Sequence, residues 1–257
     1  MKPNKPRIII MRHSERLDII LQNPNWTLEA FVNGVYSPID TKHLPKVLPI
    51  RENPHEYILD TPLTNHGKVH AYYTGEFLRS IGLIPNRVYT SPAMRCVQTA
   101  DSLLDGLSIR EKRSLRIDLA LYESTRKELP FQSAKDFSSA NFHVDLKYRP
   151  LLSSIDNRLI IGETRLQFYR RIFWILKRII KKIINKKQSQ TVLIITHRSC
   201  VSLLAAMLNI DKLEDNLAYL NEVESNTRSE VSFLAMTIAE YDRDNNLWTY
   251  LSDFPQE

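Results

Sequence analysis

The feature that most constrains this 257-residue chain is an alternation of two kinds of segment. Short β-branched and apolar runs at Arg7–Met11, Arg87–Thr90, Val192–Thr196 and Val231–Ala239 read as buried strands, with weaker candidates at Leu115–Leu119 and Leu247–Leu251. Helical periodicity fills the intervals at Gly67–Ile81, Ala93–Leu107, Thr164–Asn185 and Ser199–Leu208. Strands alternating with helices predict an α/β fold, a three-layer α/β/α sandwich around a mostly parallel sheet. Active sites in such folds gather at the carboxyl ends of the strands. Two stretches, Asp18–Thr61 and Ser124–Ile160, lack this periodicity. Long internal segments of this kind read as lid insertions over the strand ends, and Trp26 and Tyr36 in the first would favour a bulky or aromatic ligand. No repeat or low-complexity tract divides the chain, so one domain over residues 1–257 is expected, with insertions at about 18–61 and 124–160.

Composition excludes several classes. The apolar run Ile8–Met11 is too short for a signal-peptide core or a membrane span, which makes a cytoplasmic location the expectation. Two cysteines, Cys96 and Cys200, cannot build a disulfide framework. The net charge of +6 is local: nine of the 35 basic residues lie in Arg165–Lys187, a stretch without an acidic residue. With no zinc-finger spacing, helix-turn-helix signal or stacking motif, nucleic-acid binding is not expected. His66 and His70 share a helix face but lack further ligands, so no metal and no cofactor is expected.

The basic stretch is an amphipathic helix. Tyr169, Ile172, Leu176, Ile179 and Ile183 form an apolar seam, widened by Phe173, Ile175 and Ile180. Arg170, Arg171, Lys177, Arg178, Lys181 and Lys182 are assigned to the solvated side. A sheet-covering helix with a solvated face is the leading reading; Trp174 falls among these cations, where a purely solvated face has no use for an indole, and contact with an anionic membrane or an acidic partner is the competing one. Homodimerisation stays open.

The chemistry concentrates at strand ends. The first strand runs into Arg12-His13 and the strand at 192–196 into His197. Arg16 follows closely, and Arg95 stands at the start of a helix in Ser91-Pro92-Ala93-Met94-Arg95. Guanidinium forks match phosphate oxygens bidentately, and a helix amino terminus adds to the attraction. Two histidines set among arginines therefore point to phosphate chemistry. A cysteine-based phosphatase would need an arginine six places after its nucleophile; Ser102 and Ala206 stand there instead.

Four motifs in order resemble the histidine phosphatase, or phosphoglycerate-mutase-like, superfamily. Arg12-His13 resembles its Arg-His-Gly, and Leu63-Thr64-Asn65-His66-Gly67 its Leu-Thr-x-x-Gly. Ser91 to Thr99, with Arg95, Gln98 and Thr99, resembles its Ser-x-x-x-Arg-x-x-Gln-Thr, and Ile195-Thr196-His197 the strand bearing its second histidine. Arg12–Asp18, Ser91–Ala100 and Ala140–Pro150 further resemble the branch of the ecdysteroid-phosphate phosphatases and the phosphatase domains of the suppressors of T-cell receptor signalling.

The resemblance implies metal-independent phosphomonoester hydrolysis on phosphotyrosine or a bulky, steroid-like phosphate ester, as a small molecule or on a phosphoprotein. His13 would be the nucleophile that becomes phosphohistidine. Arg12, Arg16, Arg95 and His197 would hold the phosphate, and neighbouring guanidinium groups would keep His13 unprotonated. Glu123 stands where the family places its proton donor, with Glu128 and Glu163 as substitutes. Two positions depart from the pattern. Ser14 replaces a glycine and Arg198 a small residue, and each could add to the pocket. A catalytically weak or inactive phospho-ligand binding module, and phosphoglycerate-mutase-type transfer, are the competing readings; Ser124–Glu128 does not resemble the mutase motif.

Overall fold

A strand with no polar side chain along its length belongs in the centre of a covered sheet. Ile8, Ile9, Ile10 and Met11 of β1 (Arg7–Arg12) are all fully buried. The computed structural model describes residues 5–23, 25–38, 40–186, 190–227 and 231–254, so Lys187 of the basic stretch lies outside the described residues. After β1 come α1 (Leu17–Leu21), α2 (Trp26–Ala30), the ribbon β2 (Phe31–Val32) and β3 (Val35–Tyr36), and α3 (Glu56–Leu59). Then follow α4 (Asn65–Ser80), β4 (Arg87–Thr90), α5 (Met94–Gly106), β5 (Leu115–Ile117) and α6 (Ala134–Ser139). The chain continues through α7 (Arg165–Ile184), β6 (Thr191–Thr196), α8 (Arg198–Ala206), α9 (Leu217–Thr227), β7 (Met236–Asp242) and β8 (Leu247–Phe254).

Six strands form one sheet in the order β5-β4-β6-β1-β7-β8. The first four are mutually parallel, and β7 runs antiparallel to both of its neighbours, β1 and β8. The period-two alternation of strands assigns each face its layer. Ile8, Ile10, Val192 and Ile194 pack against α7 and α8, while Ile9, Met11, Leu193 and Ile195 join α4 and α5. The result is the expected three-layer α/β/α arrangement. Among the described residues no helix is long and apolar enough to cross a membrane.

Three expectations need correction. The strand read at Val231–Ala239 starts only at Met236, because Ser232–Ala235 turns with Leu234 at φ 60°. This turn carries Phe233 back over β1, and Arg12 donates to the Val231 carbonyl at 2.7 Å. On α7 the apolar seam is buried as read, but Arg171 is buried with it. It stands three residues after Phe168 and four before Ile175, within the apolar sector.

The aromatic residues of the first insertion are the third correction. Trp26 and Tyr57 are buried with Leu17, Leu44, Leu48 and Met94 in a separate cluster, and the Tyr36 hydroxyl donates to the Pro45 carbonyl. The aromatic residues of the first insertion thus form its own small core instead of facing a ligand. The second insertion lies along the sheet edge. Leu115 N–H donates to the His143 carbonyl and Asp145 N–H to the Leu115 carbonyl, which satisfies the outer side of β5.

Candidate active site

The two histidines meet because of strand register. β1 and β6 pair in parallel with Arg12 opposite Thr196, and His13 N–H still donates to the Thr196 carbonyl at 2.9 Å. The next residue on each strand is a histidine, so neighbours about 4.8 Å apart across the ladder carry imidazoles whose centroids are 5.5 Å apart. Ser91 leaves β4 beside them, and its N–H donates to the Ile195 carbonyl.

His13 is 2% exposed. Its Nδ1 lies 2.8 Å from the Ser14 carbonyl oxygen, which can only accept, so Nδ1 carries the proton and Nε2 the lone pair. Burial depresses its pKa well below the ordinary histidine value, helped by Arg95, Arg12 and Arg16 and opposed by the Ser14 carbonyl. His197 is depressed likewise, by burial, Arg95 and His13. Its Nε2 meets Ser91 Oγ at 2.8 Å, while Nδ1 lies 3.2 Å from Arg95 Nη2 and 3.3 Å from Glu123 Oε1. A serine hydroxyl both donates and accepts, so Ser91 allows His197 to present Nδ1 either as acceptor to Arg95 or as donor to an anion.

The cations close around this pair. Arg95, 3% exposed, donates to Glu123 at 2.9 Å and lies 3.9 Å from Asp60. Arg12 stacks on Phe233, with its guanidinium carbon 4.1 Å from the ring centroid. Burial, joined by the charges of Arg198, Arg16 and Arg95, lowers the Arg12 pKa to about 10. Arg16 is held by Asp18. Arg12 Nε and Arg95 Nε are buried donors without a partner among the described residues, as suits groups that face an anion. Glu123 stands with these groups. Glu128, paired with Arg158 at the surface, and Glu163, buried on Arg171, do not.

The motif residues brace this arrangement. Thr64 caps α4 by accepting from Gly67 N–H and donates its hydroxyl to Glu15, and a Cβ on Gly67 would stand 2.4 Å from the Glu15 carbonyl oxygen. Gln98 accepts from Leu63 N–H, and Thr99 Oγ1 accepts from Ser14 N–H. Ser14 was expected to add a group to the pocket. Its hydroxyl instead donates to the Gly67 carbonyl at 2.7 Å, fixing the loop to α4. Arg198 is exposed at the start of α8.

Sequence reasoning missed four supports. Asp60, fully buried, accepts from Met94 N–H and Arg51 and lies beside Arg95. Asp118, also buried, accepts from Tyr148 and from Ala120, Leu151 and Leu152 N–H, tying the second insertion to the end of β5. Burial raises both carboxyl pKa values. Arg171 pairs with Glu163 and donates to the Ala120 and Tyr122 carbonyls, so it clamps the segment that delivers Glu123. Tyr122 packs edge-on against His197 with centroids 4.6 Å apart. Only Arg171 left a signal, its place in the apolar spacing; isolated aspartates and a tyrosine have none.

A cleft of about 880 Å³ lies between the two insertions and α5, lined by Arg51, Gln98, Asp101 and Phe131. None of His13, His197, Arg12, Arg16 and Arg95 lines it, so convergence of chemistry and not cavity size picks out the candidate site. Both cysteines are buried, and burial pushes their thiols up, Cys200 to about 12, which makes them poor thiolates.

Residues 51–230 match the family model described as histidine phosphatase superfamily (branch 1), a range that begins beyond His13. Ubiquitin-associated and SH3 domain-containing protein B of Homo sapiens is 30% identical over 213 residues, 80% of this chain and 32% of that protein. Ecdysteroid-phosphate phosphatase of Drosophila melanogaster is 33% identical over 171 residues, 64% of this chain and 22% of that protein. The chain thus spans about a third or less of these relatives. The ecdysone phosphate phosphatase from Bombix mori, in complex with tungstate, superposes with a TM-score of 0.81 at 24% identity, covering 98% of this chain and 95% of that one. Phosphoglycerate mutase from Bacillus anthracis shares the fold more distantly, with a TM-score of 0.55 at 17% identity over 97% and 93% of the two chains. The chain belongs to the histidine phosphatase superfamily, branch 1, as its four motifs lead one to expect.

Proposed function

We propose that this chain hydrolyses phosphomonoesters through a phosphohistidine on Nε2 of His13. The observation that carries the reading is the hydrogen bond from Nδ1 to the Ser14 carbonyl, which leaves Nε2 as the lone-pair nitrogen of a neutral ring among arginines. Nε2 attacks phosphorus as the P–O bond to the leaving group breaks. Arg12, Arg16, Arg95 and His197 hold the non-bridging oxygens, and Glu123 gives its proton to the leaving oxygen. A water then attacks the phosphohistidine, Glu123 takes its proton, and the neutral imidazole returns with release of inorganic phosphate. No step calls on a metal ion.

Apolar surface beside the nucleophile supports an aromatic or bulky ester. Phe233 lies 5.8 Å from His13 between ring centroids, and Tyr122 flanks His197. Phosphotyrosine and steroid-like phosphates are the leading classes, in keeping with the names of the ecdysteroid-phosphate phosphatases among its relatives. The test is turnover of p-nitrophenyl phosphate by the intact chain and by His13→Ala, with acid-stable and base-stable label followed after a quench. Turnover lost in the variant is expected, with an acid-labile, base-stable adduct trapped on His13 of the intact chain. Binding of phosphate esters without turnover would leave a phospho-ligand module instead.

A further inference from the structure

A second concentration of positive charge lies away from His13, toward the amino end of β4. α7 supplies Arg178, Lys181 and Lys182 to a groove of about 700 Å³, Lys186 joins them just past its end, and the sheet supplies Arg87 and Arg116. Its third wall is the end of the second insertion, with Lys147 and Arg149. We propose that this groove binds a compact ligand carrying several phosphates, at a site separate from the catalytic one.

Charge alone would leave an ordinary solvated helix face, but three further observations point to a ligand. The lining cations come from four segments, and the one lining carboxylate, Asp145, is already taken by Arg116 at 3.1 Å. Among the described residues no carboxylate lies within 4.0 Å of the remaining seven, a like-charge cluster that repels itself until an anion enters. Several of the cations are held in place before any ligand arrives. Arg178 Nη2 donates to the Arg149 carbonyl at 2.7 Å, the Lys182 ammonium lies 5.6 Å from the Tyr148 ring centroid, and Arg116 lies 5.5 and 5.9 Å from the Tyr89 and Tyr148 rings. Finally, a volume of this size suits a small molecule, and the eight cationic side chains along it suit a polyanion.

The phosphates could belong to a soluble molecule or to a lipid headgroup. Trp174, 62% exposed, stands one helical turn before Arg178 and two before Lys181, on the same sector of α7. An indole there could enter a bilayer while the groove holds a headgroup.

Inorganic tripolyphosphate titrated calorimetrically into the intact chain tests the proposal, alongside Arg178→Glu/Lys181→Glu/Lys182→Glu and Arg12→Ala/His13→Ala. We expect the groove variant to bind at least about tenfold more weakly, the loss of one or more charge-assisted hydrogen bonds, while the active-site variant keeps this binding. Unchanged folding of the groove variant is checked by circular dichroism and by aryl phosphate turnover. Lys147→Glu/Lys186→Glu, at two exposed positions, serves if the triple variant fails to fold. Tripolyphosphate binding that survives charge reversal, or that vanishes in the active-site variant, overturns the proposal. Co-sedimentation with phosphatidylcholine vesicles containing phosphatidylinositol bisphosphate, lost on Trp174→Ala, assigns the phosphates to a headgroup. Tripolyphosphate binding without co-sedimentation assigns them to a soluble ligand.

Discussion

Arg171 offers the sharpest test of how the scaffold serves the site. Its side chain and that of Glu163 are 6% and 4% exposed, and the two form a bidentate pair. The same guanidinium donates to the Ala120 and Tyr122 carbonyls at 2.9 and 2.8 Å, one residue from Glu123. Arg171→Leu strands the Glu163 carboxylate in the interior, which costs about 3–5 kcal/mol. At about 2–4 °C per kcal/mol for a chain of this size, the melting temperature falls by about 6–20 °C. Adding Glu163→Leu removes the stranded charge, leaving the Ala120 carbonyl without this donor and the Tyr122 carbonyl with the weak Cys200 thiol, a residual of about 1–3 kcal/mol. Stability therefore returns in large part, but the clamp on residues 120–123 does not. A displaced Glu123 lowers kcat by about a hundredfold, and more for phenyl phosphate, whose leaving oxygen needs a proton, than for p-nitrophenyl phosphate. Thermal melts and kcat on both esters read this out. Wild-type kcat on phenyl phosphate in the double variant would refute the positioning role, and a single variant melting within about 2 °C of the wild type would refute the buried pair.

Further outcomes follow from the same geometry. His13 and His197 are held neutral by burial, so below pH 6.5 the unfolded chain takes up protons that the folded chain refuses. Stability present above about pH 6.5 is lost as the pH falls toward the folded pKa values, at up to about 1.4 kcal/mol per pH unit for each histidine; urea melts of the wild type and of His197→Asn at pH 5.5 and 7.5 isolate the contribution. For the same reason the acidic limb of kcat/KM attributable to His13 lies well below pH 6.5, as a pH–rate profile with a leaving group that needs no proton will show. Glu123→Gln is expected to cut phenyl phosphate turnover by about 10²–10⁴-fold and p-nitrophenyl phosphate turnover much less; equal losses on both would remove Glu123 as proton donor. Gly67→Ala drives a Cβ against the Glu15 carbonyl and should lower both melting temperature and kcat, whereas Ser14→Ala should cost about 1–2 kcal/mol with little change in kcat.

Much of this was legible in the residues, for a reason that also marks its limit. Apolar strands and amphipathic helices declare themselves by period, so β1, β4, β6, α5 and α7 emerge within two residues at either end. The histidines and arginines are legible because their motifs sit at strand ends, where position carries meaning. Supports drawn from far along the chain are not. Asp60, Asp118 and Phe233 act through contacts with residues 34, 30 and 220 positions away, and no local pattern encodes such pairs. The reading of Trp26 as ligand-facing failed for a related reason: it is apolar wherever it points, and only packing shows that it points into the insertion's own cluster.

The pairing of β1 with β6 has one more consequence. Sliding one strand by a single residue would exchange Ile8 and Ile10 for Ile9 and Met11 between the two apolar layers. The core forbids that slip, and in doing so it fixes which residue stands beside which at the strand ends. Alignment of His13 with His197 therefore needs no contact of its own. It is inherited from oil-like side chains buried two to five residues below, and substitutions that respect their alternation can accumulate there without moving the two imidazoles apart.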